Sequence, residues 1–210
     1  FGSDPRERSL DQLLAAGIVL VEKPRGPSSH QLASWARELL GISRLGHGGT
    51  LDPFATGLLT LLCGKATKLT ELALKADKRY VGVLRFGRAV DEAELETVLS
   101  DLTGVLYNVP PLESAVKVQV RNRTIHSFRL LDTEPESRIA AFEVSSSAGT
   151  YIRTLAKDIG LLLDTRCELI ELHRDRTGNF DQSMSCSMQQ LANAEFLSKG
   201  HGNDNALVKL

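Results

Sequence analysis

The stretch Gly46-His47-Gly48-Gly49-Thr50-Leu51-Asp52-Pro53-Phe54-Ala55-Thr56-Gly57 is the part of the sequence around which the fold is organised. Glycines and one proline surround a single carboxylate, and apolar runs lie on both sides, as is typical of a tight loop between buried elements. Asp52 stands at the turn, followed by Pro53 with its fixed φ, so its side chain projects from a rigid backbone. These residues leave two interpretations open, a turn-forming aspartate and a functional carboxylate.

The sequence flanking the loop alternates between strand and helix patterns. It predicts strands over 18–21 and 58–63 and helices over 28–41 and 65–75. Ser28 and Gln31 have capping-box spacing at the start of the first helix. Helical spacing in the second helix predicts that Leu69, Leu72 and Ala73 face inward.

The second half of the chain continues this alternation. It predicts strands over 78–86, 116–120, 124–131, 138–145 and 168–176, and a last short helix over 187–197 before a Gly/Asn-rich linker. Thr150 is the expected N-cap of a helix that carries Arg153 in its first turn. An arginine there opposes the helix dipole, so we expect either an anionic partner or a plain exposed side chain.

Length and composition limit the classes of protein to which the chain can belong. At 210 residues with 42% hydrophobic residues, the chain can form one sizeable domain, or a catalytic domain with a small appendage. Cys63, Cys167 and Cys186 are widely spaced and form no CxxC motif, which favours a reducing compartment. No apolar run approaches the ~20 residues of a membrane span, so we expect a soluble, intracellular protein.

Charge is uneven along a chain whose net charge is −1. Lys117, Arg121, Arg123 and Arg129 form a basic strip without acidic residues between 115 and 131. Such a strip favours contact with a polyanion even though the whole chain would not attract one.

The polar residues argue against several classes of enzyme. The five histidines are scattered without metal-ligand spacing, Asp52 has no second carboxylate close in sequence, and GHGGT lacks the GK[ST] ending of a P-loop. We therefore expect no metal site, no two-carboxylate glycosidase and no nucleotide-binding loop.

Six blocks of this sequence resemble, in order and spacing, the TruB/dyskerin family of RNA pseudouridine synthases over residues 17–180. They are EKPRGPSSH (22–30), GHGGTLDPFATG (46–57), DKRYVGVLRFG (77–87), PPLESAVK (110–117), AGTYIRTLAKDIG (148–160) and ELHRDRTGNF (171–180). The short acidic connection after Phe86 and the N-terminal arm look closest to the dyskerin branch, the catalytic subunit of box H/ACA guide-RNA particles. Phe54-Ala55 and His173 depart from that branch's usual residues.

The resemblance implies roles for individual residues. Asp52 would be the catalytic carboxylate, acting as nucleophile or general base, Arg153 would keep it ionised, and Tyr80 would stack on the flipped uracil. Residues implied in substrate or RNA binding are Lys23, His47, Thr50, Lys117, Arg121, Arg123, Tyr151 and Leu172, with Lys23 beside a phosphate. The resemblance implies no metal, redox cofactor or ATP.

We therefore predict an α/β (α+β) protein with a mixed, largely antiparallel central sheet flanked by helices, the pseudouridine synthase fold. The expected organisation is an N-terminal arm (1–16), a catalytic domain (17–186) and a C-terminal helix and linker (187–210), with a PUA domain expected beyond.

The predicted function is isomerisation of uridine in ribosomal RNA, directed by a guide RNA and assisted by Nop10-like and Gar1-like proteins. The alternatives are a stand-alone tRNA pseudouridine-55 synthase and a non-catalytic RNA-binding scaffold with the same fold. The expected location is the cytoplasm of an archaeon or the nucleus and nucleolus of a eukaryote.

Overall fold

A computed structural model describes residues 8–109, 120–201 and 205–208. The chain divides into two compact units, unit 1 with Phe1–Leu74 and Asn179–Leu210, and unit 2 with Lys75–Gly178. The predicted division into an N-terminal arm, a catalytic domain and a C-terminal segment, with boundaries after residues 16 and 186, stays a prediction.

Unit 1 is a mixed sheet with helices beside it. Its elements in chain order are α1 (Leu10–Ala16), β1 (Ile18–Lys23), α2 (Ser29–Leu39), β2 (Leu45–His47), β3 (Thr56–Cys63), a 3₁₀ helix (Gly64–Leu69) and α3 (Thr70–Lys75). Its C-terminal part adds, in chain order, β9 (Phe180–Asp181), a 3₁₀ turn (Gln182–Met184), β10 (Cys186–Ser187), α6 (Met188–His201) and α7 (Asn205–Val208). β1 pairs antiparallel with β3 and parallel with β10, and β2 pairs antiparallel with β3.

The core of unit 1 lies between β3 and α2. Leu59 and Leu61 of β3 and Leu32 and Ala36 of α2 are all 0% exposed and belong to one apolar cluster. Full burial of a leucine side chain contributes about 1.5–3 kcal/mol, so this contact fixes α2 against the sheet. The capping box predicted at Ser28 is present, which fixes the residue at which α2 begins.

Unit 2 is an antiparallel sheet. Its elements are β4 (Lys78–Phe86), α4 (Glu92–Asp101), β5 (Gly104–Asn108), β6 (Arg121–Glu134), β7 (Ile139–Ser146), α5 (Ile152–Leu162) and β8 (Cys167–Thr177). The strand order is β8-β4-β7-β6-β5, with α5 packed on β8 and α4 on β6. Burial alternates along β4, which places Lys78, Tyr80, Leu84 and Phe86 on its buried face.

The predicted fold class is confirmed, because each unit is a largely antiparallel sheet flanked by helices, and the pairing of β1 with β10 adds a parallel contact in unit 1. Within the described residues, no helix is both long enough and apolar enough to span a membrane.

Several local predictions are wrong. Leu69 and Leu72 are 49% and 70% exposed, because the segment starts as a 3₁₀ helix with three residues per turn, which changes the residues that face inward. Thr150 is not the N-cap of α5, since its hydroxyl donates to Ser147 O and the cap is Tyr151. The helix predicted over 187–197 is α6, which runs on to His201 through residues predicted as linker.

One predicted strand cannot be compared with the structure, and one observed strand was not predicted. The strand predicted over 116–120 falls almost entirely outside the described residues, and Val120 alone is described, as exposed coil. β5 had no predicted counterpart, because Val, Leu and Tyr follow one another in its sequence Gly-Val-Leu-Tyr-Asn, which therefore shows no alternation of apolar and polar residues.

Candidate active site

Asp52 is half-buried in the irregular loop between β2 and β3 of unit 1. Gly46 and His47, which the sequence placed in this loop, belong instead to β2, so the irregular part covers residues 48–55. Asp52 O accepts from Ala55 N at 3.1 Å, which closes the turn around Pro53. The short loop keeps the carboxylate close to the ends of two strands.

Ser29, in the first turn of α2, holds the residue that precedes Asp52. Its Oγ accepts from Leu51 N at 2.8 Å and donates to Leu51 O at 3.1 Å, and Ser29 is 0% exposed. One buried hydroxyl thus satisfies both backbone polar groups of Leu51, which is itself 3% exposed.

Lys23, the last residue of β1, holds the other side of the loop. Its Nζ donates to Pro24 O at 2.9 Å, Pro53 O at 3.3 Å and Ala55 O at 2.7 Å. Lys23 is 0% exposed, and an ammonium has three N–H donors, so the three carbonyls use all of them. The phosphate contact implied for Lys23 stays a prediction.

His47 and Thr50 accompany Asp52 in unit 1. The half-buried His47 ring meets the edge of His30 from α2, with ring centroids 4.7 Å apart and an interplanar angle of 76°. Thr50 is exposed in the loop itself. Gly48 is required by close packing, since a Cβ there would lie 2.8 Å from the Cβ of Ala73.

Tyr80 and Leu172 lie on adjacent strands of unit 2. Tyr80 is 8% exposed and pairs in register with Arg174 of β8, while Leu172, 7% exposed, pairs with Gly82. The β4–β8 register shifts between Arg79 and Tyr80. Such irregularities re-aim a side chain, and they are frequent beside functional sites.

Arg153 is the second residue of α5, and the start of this helix is fixed from outside. The N-cap Tyr151 forms no side-chain cap. Asn108, at the end of β5 and 2% exposed, accepts from Tyr151 N at 2.8 Å and donates to Tyr151 O at 3.4 Å. The hydroxyl of Thr154 adds a bond to Val109 O at 2.7 Å.

Arg121 and Arg123 lie on β6, close to the same helix start. Arg121 is exposed and pairs in register with Asn108. Arg123 is half-buried against the turn before α5, where a Cβ on Gly149 would lie 2.8 Å from Arg123 Nη2. Gly149 has φ of 76°, so both its conformation and the contact favour glycine. Lys117 lies outside the described residues.

Sequence reasoning missed four buried polar residues: Ser29, Lys78, Asn108 and Arg174. Ser29 follows a capping serine and gave no separate signal. Arg174 is 1% exposed. Burial, and then the charge of Arg174, lower the pKa of Lys78 to about 8, with Asp77 acting in the opposite direction. Strand alternation could have placed Lys78 and Arg174 on the buried face, since they share it with Tyr80 and Leu172.

The described part of the chain contains no group of three or more His, Cys, Asp or Glu side chains that could hold a metal ion. Unit 1 thus presents one carboxylate on a tightly held loop, and unit 2 presents a tyrosine and an arginine on fixed elements. A carboxylate held in this way can act as a general acid–base group or as a nucleophile, and the tyrosine of unit 2 offers an aromatic ring.

Known proteins resemble the chain over its whole length. It is 38% identical over 210 residues to "Probable tRNA pseudouridine synthase B" of Pyrobaculum aerophilum, covering 62% of that protein. It is 39% identical over 211 residues to "H/ACA ribonucleoprotein complex subunit DKC1" of Rattus norvegicus, covering 42% of it. The chain therefore spans about two fifths to three fifths of the length of these relatives.

A solved structure agrees with these relatives. The chain superposes with a TM-score of 0.94 and 33% identity on a chain of "Crystal Structure of a Cbf5-Nop10-Gar1 Complex". The match covers 100% of this chain and 63% of the other.

Family models account for consecutive parts of the sequence. Residues 1–33 match the DKCLD (NUC011) domain, and residues 153–210 match the tRNA pseudouridylate synthase B C-terminal domain. Residues 37–152, more than half of the chain, match the model described as TruB family pseudouridylate synthase (N terminal domain). The resemblance seen in the sequence motifs is confirmed, and the chain belongs to the TruB family of pseudouridylate synthases.

Proposed function

We propose that this protein is an RNA pseudouridine synthase and that Asp52 is its catalytic carboxylate. The observation that carries the proposal is the Asp52 loop, which lies within the family match at 37–152. Buried side chains bind the backbone on both sides of Asp52, at Leu51 and at Pro53. A catalytic group gains rate from such fixed geometry, whereas a simple turn former does not need it.

The reaction is an isomerisation. The N1–C1′ bond of uridine breaks, the uracil turns, and a C5–C1′ bond forms; the proton on C5 leaves to solvent and N1 takes up another. Atoms and electrons balance without a redox partner. Asp52 supports this chemistry either by attacking a carbon of the nucleotide or by removing a proton from it.

We assign supporting roles to residues of unit 2. Arg153 supplies positive charge for the reaction, and the ring of Tyr80 receives the flipped uracil, with Tyr151 and Leu172 lining its pocket. The exposed Arg121 and the half-buried Arg123 contact RNA phosphates. In unit 1, His47 and Thr50 contact the RNA beside the target nucleotide.

We further propose the guide-dependent form of the reaction, on ribosomal RNA and with Nop10-like and Gar1-like partners. The match to the Cbf5-Nop10-Gar1 structure and the relation to a rat H/ACA ribonucleoprotein subunit support it. A net charge of −1 also supports partners, because the chain alone attracts a polyanion weakly. The corresponding location is the nucleus and nucleolus in a eukaryote or the cytoplasm in an archaeon.

The names of archaeal relatives favour a second candidate function. The Pyrobaculum aerophilum protein is described as a probable tRNA pseudouridine synthase. A synthase of that kind modifies tRNA without a guide.

One experiment tests both candidates. Full-length protein and its Asp52→Asn variant are incubated with unmodified tRNA alone, or with guide RNA, target RNA and the accessory proteins, and pseudouridine is measured by mass spectrometry after mass-shift labelling. We expect product from the parent only in the guided reaction, and a loss of at least ~10³-fold in the variant with unchanged RNA binding. Product from tRNA alone favours the second candidate. Equal turnover by Asp52→Asn, or product in neither parent reaction, contradicts the proposed catalysis.

A further inference from the structure

Leu51, the residue before the proposed catalytic aspartate, has both of its backbone polar groups bound by a single side chain. Ser29 Oγ lies 2.8 Å from Leu51 N and 3.1 Å from Leu51 O. Ser29 is 0% and Leu51 3% exposed, so bulk water cannot readily replace the hydroxyl as the partner of these two backbone groups.

These two hydrogen bonds restrict the direction in which Asp52 points. Leu51 O and the Asp52 N–H share one planar peptide unit, so holding that oxygen fixes the plane from which the Asp52 Cα departs. Lys23 Nζ holds Pro53 O and Ala55 O after the aspartate. With both flanks held, the irregular loop has little freedom to rotate the carboxylate.

The hydroxyl of Ser29 is not needed to cap its own helix. The neighbouring Ser28 already forms a complete capping box, in which Ser28 Oγ accepts from Gln31 N at 3.1 Å and Gln31 Oε1 accepts from Ser28 N at 2.8 Å. The two adjacent serines therefore have separate roles, because Ser28 caps the start of α2 and Ser29 binds the backbone of the Asp52 loop from that helix.

We propose that Ser29 is a positioning residue of the reaction, which acts through Leu51 to orient the carboxylate of Asp52. The proposal rests on the proposed function, because it assigns Asp52 the catalytic role. It adds a residue that acts through the backbone of Leu51 and that the sequence motifs alone did not distinguish from its neighbour.

The chain offers a matched control for the test, since Ser29→Ala removes the hydroxyl that binds Leu51 and Ser28→Ala removes the helix cap. Loss of a cap lowers the melting temperature of a domain of this size by about 2–4 °C. We expect a fall at least as large from Ser29→Ala, because two buried backbone groups of Leu51 lose their partner. Rates are therefore compared at a temperature at which both variants are fully folded.

The readouts are the single-turnover rate of pseudouridine formation by the full-length, partner-reconstituted protein, the RNA dissociation constant, and amide exchange at Leu51. We expect Ser29→Ala to lower the rate about 10- to 100-fold, with an unchanged dissociation constant and faster Leu51 exchange. Ser28→Ala should keep the rate within about twofold of the parent and speed exchange only at the start of α2.

A rate for Ser29→Ala within twofold of that of Ser28→Ala, in an active parent, overturns the proposal. An inactive parent contradicts the proposed function instead. Amide exchange then tests whether Ser29 holds the backbone of Leu51. Protection of the Leu51 amide that survives in Ser29→Ala refutes this role, and protection that is lost supports it.

Discussion

Asp52 and Arg153 stand on two kinds of backbone. Asp52 belongs to a loop without regular structure between Gly48 and Ala55, whereas Arg153 belongs to a regular helix that starts one residue earlier. The loop is bound by side chains that reach it from β1 and α2. The helix is bound from outside at Tyr151, through Asn108.

The difference follows from backbone hydrogen bonding. A buried loop has no ladder of its own, so its carbonyl and N–H groups need side-chain partners at several points. A helix satisfies its interior and leaves only its terminal groups without partners. We therefore expect the Asp52 loop to be more sensitive to removal of one polar side chain than the start of α5.

The largest effect on stability should come from Lys23→Met, which removes the bonds from the ammonium to the Asp52 loop in unit 1. The variant keeps most of the buried stem but removes the ammonium, which leaves Pro24 O and Ala55 O without their donor; Pro53 O keeps its bond from Gly26 N. We expect the free energy of unfolding to fall by about 2–5 kcal/mol, measured by urea denaturation.

Lys65→Met is the matched control for Lys23→Met. Lys65 is an exposed lysine of the same unit, and its substitution should change the free energy of unfolding by less than about 0.5 kcal/mol. Equal effects of the two substitutions would mean that the ammonium of Lys23 does not hold the loop.

Much of the fold follows from patterns that act over short distances in the sequence. The capping box at Ser28 fixes the start of α2, the apolar run of β3 becomes a buried strand, and alternation along β4 places Tyr80 on its buried face. In each case a local rule and the tertiary packing favour the same structure.

The supports of the site could not be predicted in this way. The bonds from Ser29 to Leu51 and from Asn108 to Tyr151 join residues 22 and 43 positions apart. No periodicity encodes such a pair. Lys23 shows the same limit. A lysine in a polar motif beside a loop predicts an exposed charge, and only the folded Asp52 loop supplies the carbonyls of Pro53 and Ala55 that bind the buried ammonium.

Each unit also buries a lysine near its proposed site residue, Lys23 in unit 1 and Lys78 in unit 2. Lys78 stands two residues before Tyr80, is 6% exposed and donates to Ala76 O at 2.6 Å. Burial, and then Arg174, lower its pKa from the ordinary value of 10.5 to about 8. Below pH 8 the lysine is charged in both the folded and the unfolded chain, and its burial destabilises the fold.

Between pH 8 and 10.5 the unfolded chain binds more protons at Lys78 than the folded chain, so this contribution to stability rises with pH. The full rise is at most about 3 kcal/mol. We expect the free energy of unfolding of the parent, relative to Lys78→Met, to increase across this range.

The difference between parent and variant removes titrations that both share. One is that of Cys63, whose pKa is raised by burial to about 11 and which acts in the opposite direction. Lys157→Met, at an exposed position on α5, serves as the control and should leave the slope of stability against pH unaltered. A flat difference between parent and Lys78→Met would contradict the prediction.

The smallest effect on stability should come from Asn108→Ala, which loosens the start of α5 in unit 2. The change removes the acceptor of Tyr151 N–H and the weaker donor to Tyr151 O, but the helix keeps the bonds from Thr154 N and Leu155 N to Tyr151 O. We expect a loss of about 1–2 kcal/mol in the free energy of unfolding. The single-turnover rate should fall about tenfold, because Arg153 lies two residues after the freed backbone. Asn122→Ala, at an exposed asparagine of β6, is the control and should change neither the free energy of unfolding nor the rate. If Asn108→Ala lowered the free energy of unfolding more than Lys23→Met does, the Asp52 loop would not be the more sensitive of the two regions.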